Sequence, residues 1–411
     1  MNAIAVVSPA PVEPLPGERA SGSPEQGIAI CLSGGGYRAM LFHTGVIWRL
    51  AELGLLGPAT HNFRKADGSL QPAGTLQRIS SVSGGSLLAG MLGLKWKDLA
   101  VAEPGLVDRY VELVVAPIRK LAGVSLAGKD TQGVMHMLWN IVSPGSVNDH
   151  IIAAYKKHLF GDATLQDLPD SPRFVINASN LQSGALWRFM KPYMRDWRVG
   201  EVKRPTISLA QAVAASSAFP PVLAPAPLSL EDTDYTPNSG GKGRDDLQRA
   251  PFTTRPVLAD GGVYDNLGLE TAYKRYQTLF VSNAGAPFGI QPEVHSDWVR
   301  LGQRCIDVMD NQVLSLRKRL LVGDLVAGVR NGAFWDIEQD IAVHGCAQAL
   351  VCPGDATTRL AQVGTDLSTK DAAIQERLIN WGYAVSDAAV RGHFDGGLPA
   401  PRGFPYPGGV G

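Results

Sequence analysis

The sequence predicts an α/β fold, a three-layer α/β/α sandwich with a mainly parallel central sheet, and three observations carry that expectation. Short apolar runs without polar alternation, among them Ile28–Leu32, Phe174–Ala178 and Thr278–Ser282, have the pattern of strands buried on both faces. Amphipathic helical patterns lie between them. Several of these runs stop in turns of very small residues, where an open α/β sheet builds its sites. At 411 residues, 45% hydrophobic and 18% charged, the chain can bury such a core.

The first strand, Ile28–Leu32, follows residues 1–26, whose Pro, Gly, Ser and Glu content predicts a flexible leader. One domain is expected over residues 27–395. It is expected to carry a helical insertion at about 95–160, a polar loop insertion at about 229–254, a helical C-terminal part at about 293–395, and a Gly/Pro-rich flexible tail at 396–411. Within the first insertion Val107, Val111, Val114, Ile118 and Leu121 mark an amphipathic helix, kinked near Pro117, and Val134–Val142 is more apolar still. Both segments can pack on the domain or act as a lid, over about 105–143, that meets lipid. The small-residue stretch Ile207–Ala218 predicts a helix packed closely on something, stopped by Pro220 and Pro221.

Lys plus Arg and Asp plus Glu are 38 each, so no basic field draws the chain to nucleic acid, and any membrane contact must be local and apolar. Four scattered cysteines suit a reducing compartment rather than a disulfide framework. His344, Cys346 and Cys352 fit no zinc spacing, and neither a metal nor another cofactor is expected. No secretory start and no spanning run of about 18 apolar residues is present. A cytoplasmic location, with transient peripheral contact at a membrane, is the expectation.

Three turns carry the chemistry. Ser33-Gly34-Gly35-Gly36-Tyr37-Arg38 joins a strand to a helix and exposes backbone N–H groups at a helix start, an anion cradle. Gly34-x-Gly36-x-x-Ala39 also matches a dinucleotide fingerprint, but no acidic strand end follows at the required distance, so an oxyanion hole is the better reading. Arg38 can add to that field, hold a substrate phosphate, or make a salt bridge. His43, on the same helix, is either structural or a general base. Ser81-Val82-Ser83-Gly84-Gly85-Ser86 has the layout of a nucleophile elbow around Ser83, with Ser81 where glycine is usual. Asp260-Gly261-Gly262 delivers one carboxylate from a buried strand into a glycine turn, either an Asx turn or part of a site.

These three motifs in this order, with Ala215-Ser216-Ser217-Ala218-Phe219-Pro220-Pro221 between the second and third, resemble the patatin-like phospholipase family over roughly residues 28–284. The Ser83–Ser86 and Gly36–Ala39 wording is also similar to the cytosolic phospholipase A group. The resemblance implies Ser83 as nucleophile, Asp260 as base, an oxyanion hole from Gly34, Gly35 and Gly36, and a lipid ester as substrate, phospholipid or lysophospholipid. An acyltransferase using the same dyad, a non-catalytic lipid-binding protein and a nucleotide-binding enzyme are the alternatives. Oligomeric state cannot be read from the sequence.

Overall fold

The computed structural model describes residues 24–64, 68–126, 146–241 and 247–411. A ten-stranded mixed sheet forms the middle layer. In chain order its strands are β1 (Glu25–Leu32), β2 (Leu76–Val82), β3 (Arg173–Asn180), β4 (Ala185–Phe189), β5 (Tyr193–Asp196), β6 (Gly200–Lys203), β7 (Ala226–Pro227), β8 (Val257–Asp260), β9 (Tyr276–Asn283) and β10 (Asn331–Asp336). The run β10-β9-β1-β2-β3 is parallel throughout, as the unalternated apolar strands predict. Beyond β3 an antiparallel meander, β4 to β6, extends the sheet.

The principal helices are α1 (Gly36–Glu52), α2 (Gly84–Leu99), α3 (Leu209–Ser216), α4 (Trp298–Val326) and α5 (Ala372–His393). Alternate residues of β1 point to opposite faces. Ile28, Ile30 and Leu32 join the core formed with α1, α2 and α5, while Ala29 and Cys31 join a second cluster with Leu267, Ala272 and Leu321 of α4. Both faces are therefore covered, and the three-layer expectation holds. Where α1 and α5 cross, a Cβ on Gly382 would stand 1.9 Å from the Phe42 carbonyl oxygen, so the two backbones touch.

Two antiparallel features place the site. β3 pairs with β4 along one edge over Ile176–Asn180. Its other edge takes β2, ending with Val82 opposite Asn177, and then β8, with Asp260 opposite Ala178. Two strands thus meet end to end on adjacent residues of a third.

The C-terminal part is not simply helical, because β10 adds a parallel edge strand that polar flanks hide in the sequence. The stretch 396–411, expected to be loose, instead packs on the domain. Asn380 Nδ2 donates to the Tyr406 and Gly409 carbonyls at 2.8 and 2.7 Å, and the Tyr406 ring meets Trp48 edge-on. In the first insertion, a helix from Leu106 passes through one wider turn, Val111–Val115, just before Pro117 and ends at Ala122. Its residues Tyr110, Val114, Ile118 and Leu121 are buried in the main core. Residues 1–23 and, within the suggested lid, 127–143, Val134–Val142 included, lie outside the described residues.

Candidate active site

Parallel strands in register bring their carboxyl ends together. Leu32 of β1 lies beside Ser81 of β2 and Ser282 of β9, so the glycine turn after β1 and the elbow after β2 are neighbours. Their contact is close. A Cβ on Gly84 would sit 2.0 Å from the Gly36 carbonyl oxygen, and one on Gly34 would sit 3.1 Å from the Ser83 Cβ. Glycine in both motifs is required by this approach of one backbone to the other.

Ser83 has φ 52° and ψ −120°, a conformation that side chains rarely adopt and that costs roughly 1–3 kcal/mol. This is the elbow expected from the motif. Ser81, where glycine is usual, is accommodated: its hydroxyl donates to the Val175 carbonyl at 3.3 Å and accepts from Ser86 Oγ at 3.0 Å.

Asp260 is 2% exposed and reaches the elbow from β8. Its Oδ1 accepts the Gly262 N–H at 2.7 Å. Burial pushes its pKa up from the usual 3.8 to about 7, against the opposing pull of the Gly262 N–H and a hydrogen bond from the Ser83 hydroxyl; the charge of Asp310 adds to the rise. The serine and the carboxylate are thus brought together, with the carboxylate tuned to neutral pH.

The third component is the glycine turn. Among the described residues the N–H groups of Gly35, Gly36 and Gly84 have no protein acceptor, whereas the Gly34 N–H is taken by the Asn266 carbonyl at 3.1 Å. Gly34 therefore contributes closeness rather than a free donor, and Gly84, which follows the serine, is the donor the motif reading overlooked.

Arg38 departs from the expectation of substrate binding. It is 1% exposed, and its guanidinium donates to the carbonyls of Ala361, Val363 and Ala284 at 2.5, 2.9 and 2.9 Å. With burial lowering its pKa to about 10, it serves as a clamp tying the glycine turn to the C-terminal third. His43 is likewise structural. Burial drops its pKa to about 3, its Nδ1 meets Ser282 Oγ at 2.9 Å and its Nε2 meets the Ser33 carbonyl at 3.0 Å. Because the Ser33 carbonyl can only accept, Nε2 carries the ring proton, and Ser282 Oγ, which accepts from Trp335 Nε1 at 2.8 Å, donates to Nδ1.

Ser216 is the residue that sequence patterns did not single out. Its Oγ accepts the Ser83 N–H at 3.0 Å and lies 2.9 Å from Ser86 Oγ, while its carbonyl accepts the Gly261 N–H at 3.2 Å. The neighbouring Ala218 carbonyl accepts the Asp260 N–H at 2.8 Å. One end of α3 therefore brackets both turns, which explains its run of small residues. Ser216→Ala leaves a buried N–H unpartnered at the strained serine, at a cost of about 1–3 kcal/mol. The expected result in steady-state kinetics is a kcat lower by roughly 10–100-fold with KM changed little. An unchanged kcat would remove Ser216 from the positioning role.

A serine on a strained strand-to-helix turn, a buried carboxylate beside it and free backbone donors around both converge at the strand ends of an α/β sheet. The model of the patatin-like phospholipase family matches residues 30–273, and the chain belongs to that family. Two structures of human GIVD cytosolic phospholipase A2 are similar in part. The first matches at 13% identity and a TM-score of 0.37, covering 68% of this chain and 50% of that one. The second, in complex with methyl gamma-linolenyl fluorophosphonate, matches at 13% identity and a TM-score of 0.46, covering 89% of this chain and 57% of that one. The chain thus spans little more than half the length of these proteins. No curated protein matches it. Among the described residues no helix is long and apolar enough to cross a membrane, and no group of three metal-ligating side chains occurs.

Proposed function

We propose that the protein is a serine lipid acyl hydrolase that cleaves carboxylic ester bonds of phospholipids or lysophospholipids through an acyl-enzyme on Ser83. The observation that carries this reading is the convergence of Ser83, on its strained turn, with a buried Asp260 whose pKa burial raises to about 7. A carboxylate of ordinary pKa is a feeble base for a serine; one raised to about 7 accepts the proton far more readily and is still half ionised at neutral pH.

In the first half-reaction Ser83 Oγ attacks the ester carbonyl carbon and its proton passes to Asp260. The negative charge on the carbonyl oxygen is met by the N–H groups of Gly35, Gly36 and Gly84. The carbon–oxygen bond to the lysolipid or glycerol fragment then breaks, and the leaving oxygen takes the proton from Asp260. Next, Asp260 removes a proton from water, whose oxygen attacks the acyl carbon; Ser83 is released with that proton and the fatty acid departs. Around the site Phe219, Val222 and Val263 expose apolar side chains, with 61%, 42% and 50% of their surface free. Phe219 follows the carbonyl that anchors Asp260, so this rim suits transient entry of acyl chains from a membrane surface.

The test is labelling with a fluorophosphonate followed by product analysis on phospholipid and lysophospholipid vesicles. Labelling confined to Ser83, with release of free fatty acid, is expected. Transfer of the acyl group to an added alcohol in preference to water would assign a transacylase, and the absence of any label would leave a lipid-binding protein.

A further inference from the structure

We propose that α4 is a self-association surface, pairing in parallel with α4 of a second copy as a two-stranded coiled coil. One side of the helix is seated on the domain. Leu321 is fully buried and Leu314 and Leu325 pack on the cluster that holds Tyr276, Leu279 and Phe334. Lys318 Nζ lies 2.5 Å from Asp336, and Arg317 Nη1 lies 2.9 Å from Glu270.

The opposite side is apolar and exposed among the described residues. Val299, Ile306, Met309, Val313, Leu316 and Leu320 are 58%, 58%, 59%, 45%, 51% and 52% exposed. With Gly302 they recur at alternating spacings of three and four, the repeat of a coiled-coil seam rather than of a helix lying on a sheet. The first position of each heptad is Val299, Ile306, Val313 and Leu320, largely β-branched, with Met309 and Leu316 at the fourth, a choice that favours two strands.

The flanks of the seam decide between a second copy and a lipid surface. A helix lying on a membrane presents an uninterrupted apolar arc. Here the row Trp298, Cys305, Gln312, Arg319 and Val326 runs directly beside the seam, apolar at its two ends and broken in the middle by Gln312 and Arg319, and Gln303, Asp310, Arg317 and Asp324 run along its other side. A polar row along one flank, with Gln312 and Arg319 breaking the other beside the middle of the seam, is the mark of helix pairing. Leu301, Val308 and Val322 lie beyond the first of these rows, outside the seam. Charge selects the direction: parallel pairing sets Arg319 of one copy against Asp324 of the other, whereas antiparallel pairing about the middle of the seam sets Asp310 against its own copy. A two-fold axis along the seam leaves both domains on the outside, since each is attached to the far side of its helix.

Sedimentation equilibrium of the full chain at micromolar concentration tests this without reference to the reaction. A mass twice 43.8 kDa is expected. Met309→Asp and Leu316→Asp, both at exposed positions, are each expected to give the monomer mass with an unchanged thermal midpoint. In a Cys305→Ser background, Gly302→Cys is expected to form an intermolecular disulfide when treated with copper phenanthroline as oxidant, because parallel pairing places that position beside its own copy. A monomeric wild type overturns the proposal, whether or not it binds phosphatidylcholine vesicles. A dimer that survives both aspartate substitutions also overturns it, and a dimer without the cross-link overturns the parallel arrangement.

Discussion

Ser83→Ala is expected to lower ester hydrolysis by roughly 10^4-fold or more while leaving the fold intact, because it removes the only atom that becomes bonded to the acyl group. Ser86→Ala is the informative partner. Ser86 Oγ touches Ser81 and Ser216 rather than Asp260, so its loss is expected to cost far less. A second variant separates chemistry from strain. Ser83→Gly also abolishes hydrolysis, but glycine accepts φ 52° freely, and chemical denaturation is expected to show a gain of about 1 kcal/mol over Ser83→Ala. Undiminished hydrolysis in Ser83→Ala would sink the assignment of the nucleophile.

Asp260→Asn carries the second large effect, and it reads in two directions. Turnover is expected to fall by roughly 10^3-fold or more, since an amide cannot take the serine proton. Stability is expected to rise. Between pH 4 and 7 the native carboxyl, with its pKa near 7, holds a proton that the unfolded chain, near 3.8, has lost. The native state then binds more protons, so wild-type stability falls as pH rises across that window and stays low above it. The asparagine variant has no such loss. Its melting temperature is expected to match the wild type near pH 4 and exceed it by a few degrees at pH 8. The same ionisation governs the rate: wild-type kcat/KM is expected to climb tenfold per pH unit below about 7 and level off above it. Retained turnover in Asp260→Asn, or a profile flat through pH 7, would dismiss the carboxylate as base.

The parallel centre of the sheet was legible because β1, β3 and β9 are buried on both faces and so lack polar alternation. The elbow and the glycine turn were legible because close backbone approach excludes side chains, leaving a signature of Gly and Ser in the chain itself. Three things were hidden. The direction of β8 was one, since four residues read the same whichever way they run, and it is the antiparallel run that turns Asp260 toward Ser83. Arg38 was another: a cation beside a glycine turn suggests a ligand, and only the fold shows three carbonyls, two of them more than 300 residues away, converging on it. Ser216 was the third, because a serine in an alanine-rich helix gives no hint that its hydroxyl faces an N–H in another segment. The seam of α4, by contrast, was visible as a helix but not as a bare one, since exposure depends on what the rest of the chain covers.

The end-to-end meeting of β2 and β8 on β3 makes the reaction centre a join between two separate lengths of chain. Val82 and Asp260 are seated on Asn177 and Ala178, so the spacing of nucleophile and base is ruled off by consecutive residues of one strand and not by the 176 residues that connect them. Loops in that interval, the polar stretch 229–254 included, are free to lengthen, shorten or change sequence without altering the reach between the two groups. Natural variation in substrate entry can therefore accumulate there while the chemistry stays in register.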